Sequence, residues 1–164
     1  MENILRAVDA NGLDVVCIYP NSDRGHSGIV AAIEAHRNRA APDRFRVFRS
    51  LDQDSFLRLL MGADVLVGNS SSGMIEAATA GTPVVNVGDR QKGRECDTRF
   101  VVQTGESQPA VRAAIRKALT RRPVMGQPGV YGDGRAGRRI AAVLARIPLT
   151  DAFRRKVFAD LPHA

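Results

Sequence analysis

Residues 65–95 read VLVGNSSSGMIEAATAGTPVVNVGDRQKGRE, and they constrain the fold more than any other part of the chain. An apolar, β-branched run ends in a turn of small residues at 68–73. A helical pattern over 74–80 follows, and Gly81, Thr82 and Pro83 close it. A second β-branched run at 84–87 then leads into a loop rich in charge. Short apolar strands that do not alternate with polar residues belong to sheets covered on both faces.

The rest of the chain repeats this alternation. Ile4, Leu5, Val8 and Leu13 mark a helix that feeds a turn at Asn11 and Gly12. Strands are expected at 15–19, 45–48, 65–67, 84–87 and 100–102. Ile29 and Ile33 mark a helix ending near Arg37. Asp52 or Asp54 caps another, which carries Phe56, Leu59 and Leu60. Further helices are expected over 110–119 and 137–147, and a last one around 153–161. Strands separated by helices make βαβ units and a parallel sheet. The fold class is therefore α/β, a doubly wound Rossmann-like parallel sheet flanked by helices. It is read as one nucleotide-binding domain over 1–164, with the tail 148–164 as a crossing helix.

Length and composition narrow the function. A chain of 164 residues can bury a real core. No apolar stretch approaches the ~18 residues that span a bilayer, and the first residues, MENILRAVDANG, lack the pattern of a secretory signal. A cytoplasmic location with no membrane partner is expected. Cys17 and Cys96 match no metal or redox spacing and read as free thiols. The net charge of +7 attracts anions in general, but aromatics make up 5% of residues and Trp is absent. Stacking platforms for single strands are therefore scarce, and nucleic acid is not the expected partner.

Ligands of doubly wound sheets sit beyond the carboxyl ends of the strands. That rule points to loops 20–27, 68–73 and 88–94. In 68–73, Ser70, Ser71, Ser72 and Gly73 offer hydroxyls and close backbone approach at a helix start, which suits a phosphate. The same residues would also serve as ordinary caps. The loop is not a Walker loop, since the Gly-Lys-Ser/Thr ending is missing. Glu76 either meets the helix dipole or accepts two hydrogen bonds from a ribose diol. Arg90, in the loop after the next strand, either neutralises phosphate or belongs to a solvated charge run that includes Gln91. In the first loop Ser27 is a candidate cap, and His26 is a lone histidine without a metal partner set. His36 and His163 read as surface residues. Asp133, in the run Tyr131-Gly132-Asp133-Gly134, is a candidate cap for a helix near Arg135.

Taken together, the runs YPNSDRG at 19–25, ADVLVGNSSSGMIEA at 63–77, GTPVVNVGDRQKGRE at 81–95 and YGDG at 131–134 resemble the hydrolysing UDP-N-acetylglucosamine 2-epimerases. The resemblance is to the members that feed sialic acid and related nonulosonate pathways. It implies the C-terminal half of a GT-B fold, in which two Rossmann-like domains enclose the active site. It also implies UDP and UDP-N-acetylglucosamine as ligands, with no cofactor and no metal. On matching positions, Ser70 and Ser71 would bind the diphosphate with Ser72 and Gly73 beside them, Glu76 would hold the ribose, and Asn21 and Arg90 would line the nucleotide site. The family's N-terminal domain supplies the acidic residues that deprotonate the sugar at C2, and this chain has no identifiable counterpart. It therefore reads as the UDP-binding half, inactive alone, with a missing N-terminal domain or a second copy of the chain covering the open cleft wall. A nucleotide-sugar glycosyltransferase half-domain and a non-catalytic nucleotide-binding module are the alternatives.

Overall fold

The computed structural model describes residues 1–121 and 130–155. They fall into two compact units, Met1–Tyr131 and Gly132–Ala164. The first contains α1 (Glu2–Asp9), β1 (Val15–Ile18), α2 (His26–Arg37), β2 (Phe45–Phe48), α3 (Gln53–Gly62), β3 (Leu66–Gly68), α4 (Glu76–Ala80), β4 (Val84–Val87), β5 (Val101–Thr104) and α5 (Gln108–Leu119). The second contains α6 (Ala136–Leu144) and α7 (Asp151–Arg154).

All strand pairs are parallel, as the βαβ reading requires. β1 pairs with β2, and β4 lies between β3 and β5. The expected single sheet is thus two parallel ladders, with no strand pairing between them among the described residues. Val15 of β1 and Val65 and Val67 at β3 nevertheless pack against one shared core.

β4 explains why the sheet is wound on both sides. Val85 and Val87 face a core made with Ala7 and Val8 of α1 and Val111, Ala114 and Ile115 of α5. Val84 faces the opposite way, into a cluster with Leu60 of α3, Met74, and Ala77 and Ala80 of α4. Every residue of this strand is buried. Because successive side chains point to opposite faces, Asn86 lies on the Val84 side, the side that carries α4.

Several boundaries differ from expectation for local reasons. β5 starts at Val101, because the N–H groups of Phe100 and Val101 both turn back to the Asp97 carbonyl. Arg99 donates to both Asp97 carboxylate oxygens, and this holds the Asp97 carboxyl below its usual range. The helix expected over 74–80 is shorter: a 3-10 turn at Ser71–Gly73 precedes it, and α4 begins only at Glu76. α2 is capped by Gly25 at φ 88° rather than by Ser27. His36 is buried, not at the surface. Its ring stands edge-on to Phe45, with 4.6 Å between centroids, and its Nε2 lies 3.4 Å from Asp9 Oδ1. α6 ends at Leu144, short of residue 147. Residues 156–164, which include most of the expected last helix and His163, lie outside the described residues.

Asp52 is the cap of α3, accepting from the Ser55 N–H at 2.9 Å. Asp52→Ala is expected to lower the urea midpoint at unchanged slope, since it removes the cap of α3. Both cysteines are free, and burial pushes the Cys17 thiol up to about 11, which makes it a poor nucleophile. No helix among the described residues is long and apolar enough to cross a membrane.

Candidate functional site

The loops after β1, β3 and β4 meet at the carboxyl edge of the strands, and Arg90 joins them. Its Nη2 donates to Asp23 Oδ2 at 3.0 Å, and its Nη1 reaches the Asn69 carbonyl at 3.4 Å. Asp23 belongs to the loop after β1, Asn69 to the loop after β3, and Arg90 to the loop after β4. One guanidinium therefore holds three segments that lie far apart in sequence. Both side chains of the Arg90–Asp23 pair are more than half exposed, so the pair itself stabilises the fold little.

The serine loop is shaped by its own side chains. Ser70 caps the 3-10 turn, its Oγ accepting from the Ser72 N–H at 3.4 Å and from Ser72 Oγ at 2.9 Å. The N–H groups of Gly73, Met74 and Ile75 turn back to the carbonyls of Ser70 and Ser71. The N–H of Ser71 takes no partner among the described residues, and Ser71 and Ser72 are half-buried. Gly73 is needed for packing, since a Cβ there would lie 3.0 Å from Val84 Cγ1. The loop can thus sit directly on β4. Its donors come from single N–H and O–H groups of a tight turn, because the helix that follows has only five residues and a correspondingly small dipole.

Glu76 opens α4. It is half-buried, and its Oε2 is out of contact with solvent and accepts no hydrogen bond among the described residues. A buried carboxylate oxygen left unpaired is costly, on the order of 1–3 kcal/mol. Such an atom is found where a ligand or water is to supply the donor.

Two buried carboxamides lie at the same edge. Asn86 is 2% exposed and pairs across β3–β4 with Gly68, where the serine loop starts. Gln103 Nε2 donates to the Gly88 carbonyl at 2.7 Å, so its Oε1 faces Asn86 and accepts from Nδ2 at 2.6 Å. The backbone carbonyl can only accept, and this fixes both amide orientations. Gln91 is buried and donates from Nε2 to the Asn69 carbonyl at 2.7 Å. The remaining oxygens, Asn86 Oδ1 and Gln91 Oε1, have no hydrogen-bond partner among the described residues. Gly88 turns the chain out of β4 at φ 77°, with the Glu106 carboxylate 2.8 Å from where a Cβ would stand.

The residues singled out from sequence, Ser70, Ser71, Ser72, Gly73, Glu76, Asn21 and Arg90, fall on these three loops and on the start of α4. Asn21 is exposed and makes no hydrogen bond among the described residues. Asp23, Asn69 and Gln91 were not singled out, yet they make the contacts between loops. His26 starts α2 with Nδ1 3.0 Å from the Asp23 carbonyl, a local cap contact. Tyr131 hydroxyl donates to the Glu95 carbonyl at 2.5 Å. Asp133 accepts from the Arg135 N–H and pairs with Arg139, which holds its carboxyl low. The N-cap of α6 is Arg135, with no side-chain cap bond, so the expected Asp133 cap does not form and its contact is a local turn ahead of the helix. Among the described residues no group of His, Cys, Asp and Glu is arranged to hold a metal ion.

Comparison with known proteins places these loops in context. A family model described as UDP-N-acetylglucosamine 2-epimerase matches residues 1–145. The UDP-N,N'-diacetylbacillosamine 2-epimerase (hydrolyzing) of Legionella pneumophila is 36% identical over 148 residues, which cover 90% of this chain and 38% of the relative. The UDP-N-acetylglucosamine 2-epimerase of Neisseria meningitidis is 33% identical over 115 residues, 70% of this chain and 29% of the relative. A crystal structure of a UDP-N-acetylglucosamine 2-epimerase superposes with a TM-score of 0.55 at 20% identity, covering 100% of this chain and 44% of that one. At that identity the likeness speaks to the fold. The chain spans less than half the length of each of these proteins.

Proposed function

The chain belongs to the UDP-N-acetylglucosamine 2-epimerase family, and we propose that it is the UDP-binding domain of a hydrolysing 2-epimerase acting on UDP-N-acetylglucosamine or a close UDP-2-acetamido sugar. The observation that carries this reading is the unpaired, buried Oε2 of Glu76 behind a serine loop that Arg90 ties to both neighbouring loops.

Each group has a part. Ser70, Ser71 and Ser72 receive the diphosphate through their hydroxyls and the Ser71 N–H, and Gly73 beside them lets the turn lie close against β4. Arg90 exchanges the Asp23 carboxylate for phosphate oxygens. Glu76 accepts from the ribose hydroxyls, and Asn21 lines the nucleoside side. In the family's reaction a base removes the proton at sugar C2, and UDP leaves from C1 with the bonding electrons. A 2-acetamidoglucal remains, and addition of water gives N-acetylmannosamine. The domain's contribution is to stabilise the negative charge that grows on departing UDP. We assign the C2 base to the further domain into which the longer relatives extend.

Calorimetric titration with UDP and with uridine tests the reading. UDP is expected to bind and uridine to bind far more weakly, and a chain that binds neither would overturn it. Arg90→Ala is expected to weaken UDP about tenfold, in line with the loss of one charge-assisted contact at an exposed site. The same change should leave uridine within about twofold, because the lost partner is the diphosphate. Sugar transfer to an acceptor, in place of free N-acetylmannosamine, would favour the glycosyltransferase alternative.

A further inference from the structure

Gln91 lies in the most charged stretch of the chain, where solvation is the ordinary fate of a side chain, yet it is only 6% exposed. Its neighbours Asp89, Arg90, Lys92 and Arg94 are all exposed. The carboxamide turns inward and donates to the carbonyl of Asn69, 22 residues earlier, at 2.7 Å. Asn69 directly precedes Ser70, the residue whose hydroxyl shapes the 3-10 turn. The other contact to that carbonyl, from Arg90, is longer and exposed. Because a backbone carbonyl can only accept, the amide orientation is fixed, and Oε1 is left buried and without a partner among the described residues. A buried oxygen left in that state has room for a donor from outside the chain, a ligand or an ordered water.

We propose that Gln91 is a positioning residue that holds the serine loop, through the Asn69 carbonyl, in its anion-receiving shape, a role resting on the diphosphate reading of residues 68–73. The Nε2 donor sets the loop. The buried Oε1 is an acceptor for a donor that arrives with the bound ligand or its ordered water. Arg90 must release Asp23 and turn to the diphosphate when UDP binds, which leaves Gln91 as the tether of Asn69 in the complex. Gln91 touches no reacting atom.

The chemistry of the donor gives a test that a general packing role would not pass. Gln91→Met keeps the length and removes the donor. Gln91→Glu keeps the shape and donates only when its carboxyl is protonated, as the neutral acid. When ionised it sets a negative charge against the Asn69 carbonyl. Burial and that repulsion raise the carboxyl, and the Arg90 guanidinium at the same carbonyl opposes them until it turns to the diphosphate, so in the complex the donor returns as pH falls.

UDP affinity is measured for the full chain and both variants from neutral to mildly acid pH, each variant as a ratio to wild type at the same pH. Circular dichroism melts report whether each variant is folded. Gln91→Met is expected to bind UDP about tenfold more weakly at every pH. Gln91→Glu is expected to be at least as weak at neutral pH and to recover toward wild type in acid. Equal losses in the two variants with no recovery in acid, or affinities within twofold of wild type throughout, would overturn the role of Gln91 and leave the UDP site standing. Wild-type protein that binds no UDP would overturn both.

Discussion

Glu76→Ala is expected to weaken UDP by about 10- to 150-fold while leaving the ligand-free fold as stable as before or slightly more so. The binding loss follows from removing a charged acceptor, worth on the order of 1.5–3 kcal/mol. The stability result follows from the ligand-free structure, where Oε2 is buried and unpaired among the described residues. Its desolvation works against folding, and removal of the carboxylate relieves it. Alanine is also the best helix former at the first position of α4. Against this stands the loss of a favourable acid at a helix N-terminus, small for a five-residue helix. UDP and uridine should suffer alike, since both carry the ribose, whereas Arg90→Ala should discriminate between them. A sharper check uses 2′-deoxy-UDP. Wild type should prefer UDP over the deoxy form, and Glu76→Ala should lose most of that preference, because the residue and the hydroxyl are proposed partners. If the variant keeps the full preference, another group reads the ribose.

The three loops were legible from sequence, but the contacts between them were not. β4 occupies the expected residues because three valines in four positions stand between Pro83 and Gly88, and β2 because Phe45, Val47 and Phe48 are residues that favour strands. The Asp52 cap was legible because its partner, the Ser55 N–H, is three residues away. His36 was not, because the groups that bury it, Phe45 and Asp9, belong to other elements. Gln91 was misread for the same reason: its burial is decided by a carbonyl 22 residues distant, inside a run whose composition is that of a solvated loop. The Arg90–Asp23 pair spans 67 residues. The shortness of α4 had a local signal that the helical pattern overrode. Ser70 and Ser72 bond to each other and to nearby backbone, an alternative to helix that serines commonly offer.

Ile115→Ala is the complementary prediction, with a large effect on stability and little on the site. Ile115 of α5 is fully buried in the core beneath β4, together with Val85, Val111 and Ala7. Truncation to alanine removes three carbons from a site closed on all sides, and the expected cost is about 2–5 kcal/mol. Against the roughly 5–15 kcal/mol that holds an ordinary domain, that is a large fraction. The urea midpoint should fall steeply at unchanged slope, since the surface exposed on unfolding is nearly the same. No residue of the serine loop, Glu76 or Arg90 belongs to this core, so the folded fraction should bind UDP with wild-type affinity. Ligand linkage then separates scaffold from site. UDP at a hundredfold excess over its dissociation constant should restore about 2.7 kcal/mol to Ile115→Ala. The same concentration should restore far less to Glu76→Ala, which starts from near wild-type stability. A UDP-induced rise in melting temperature that is lost in Ile115→Ala and kept in Glu76→Ala would reverse the assignment of these two residues.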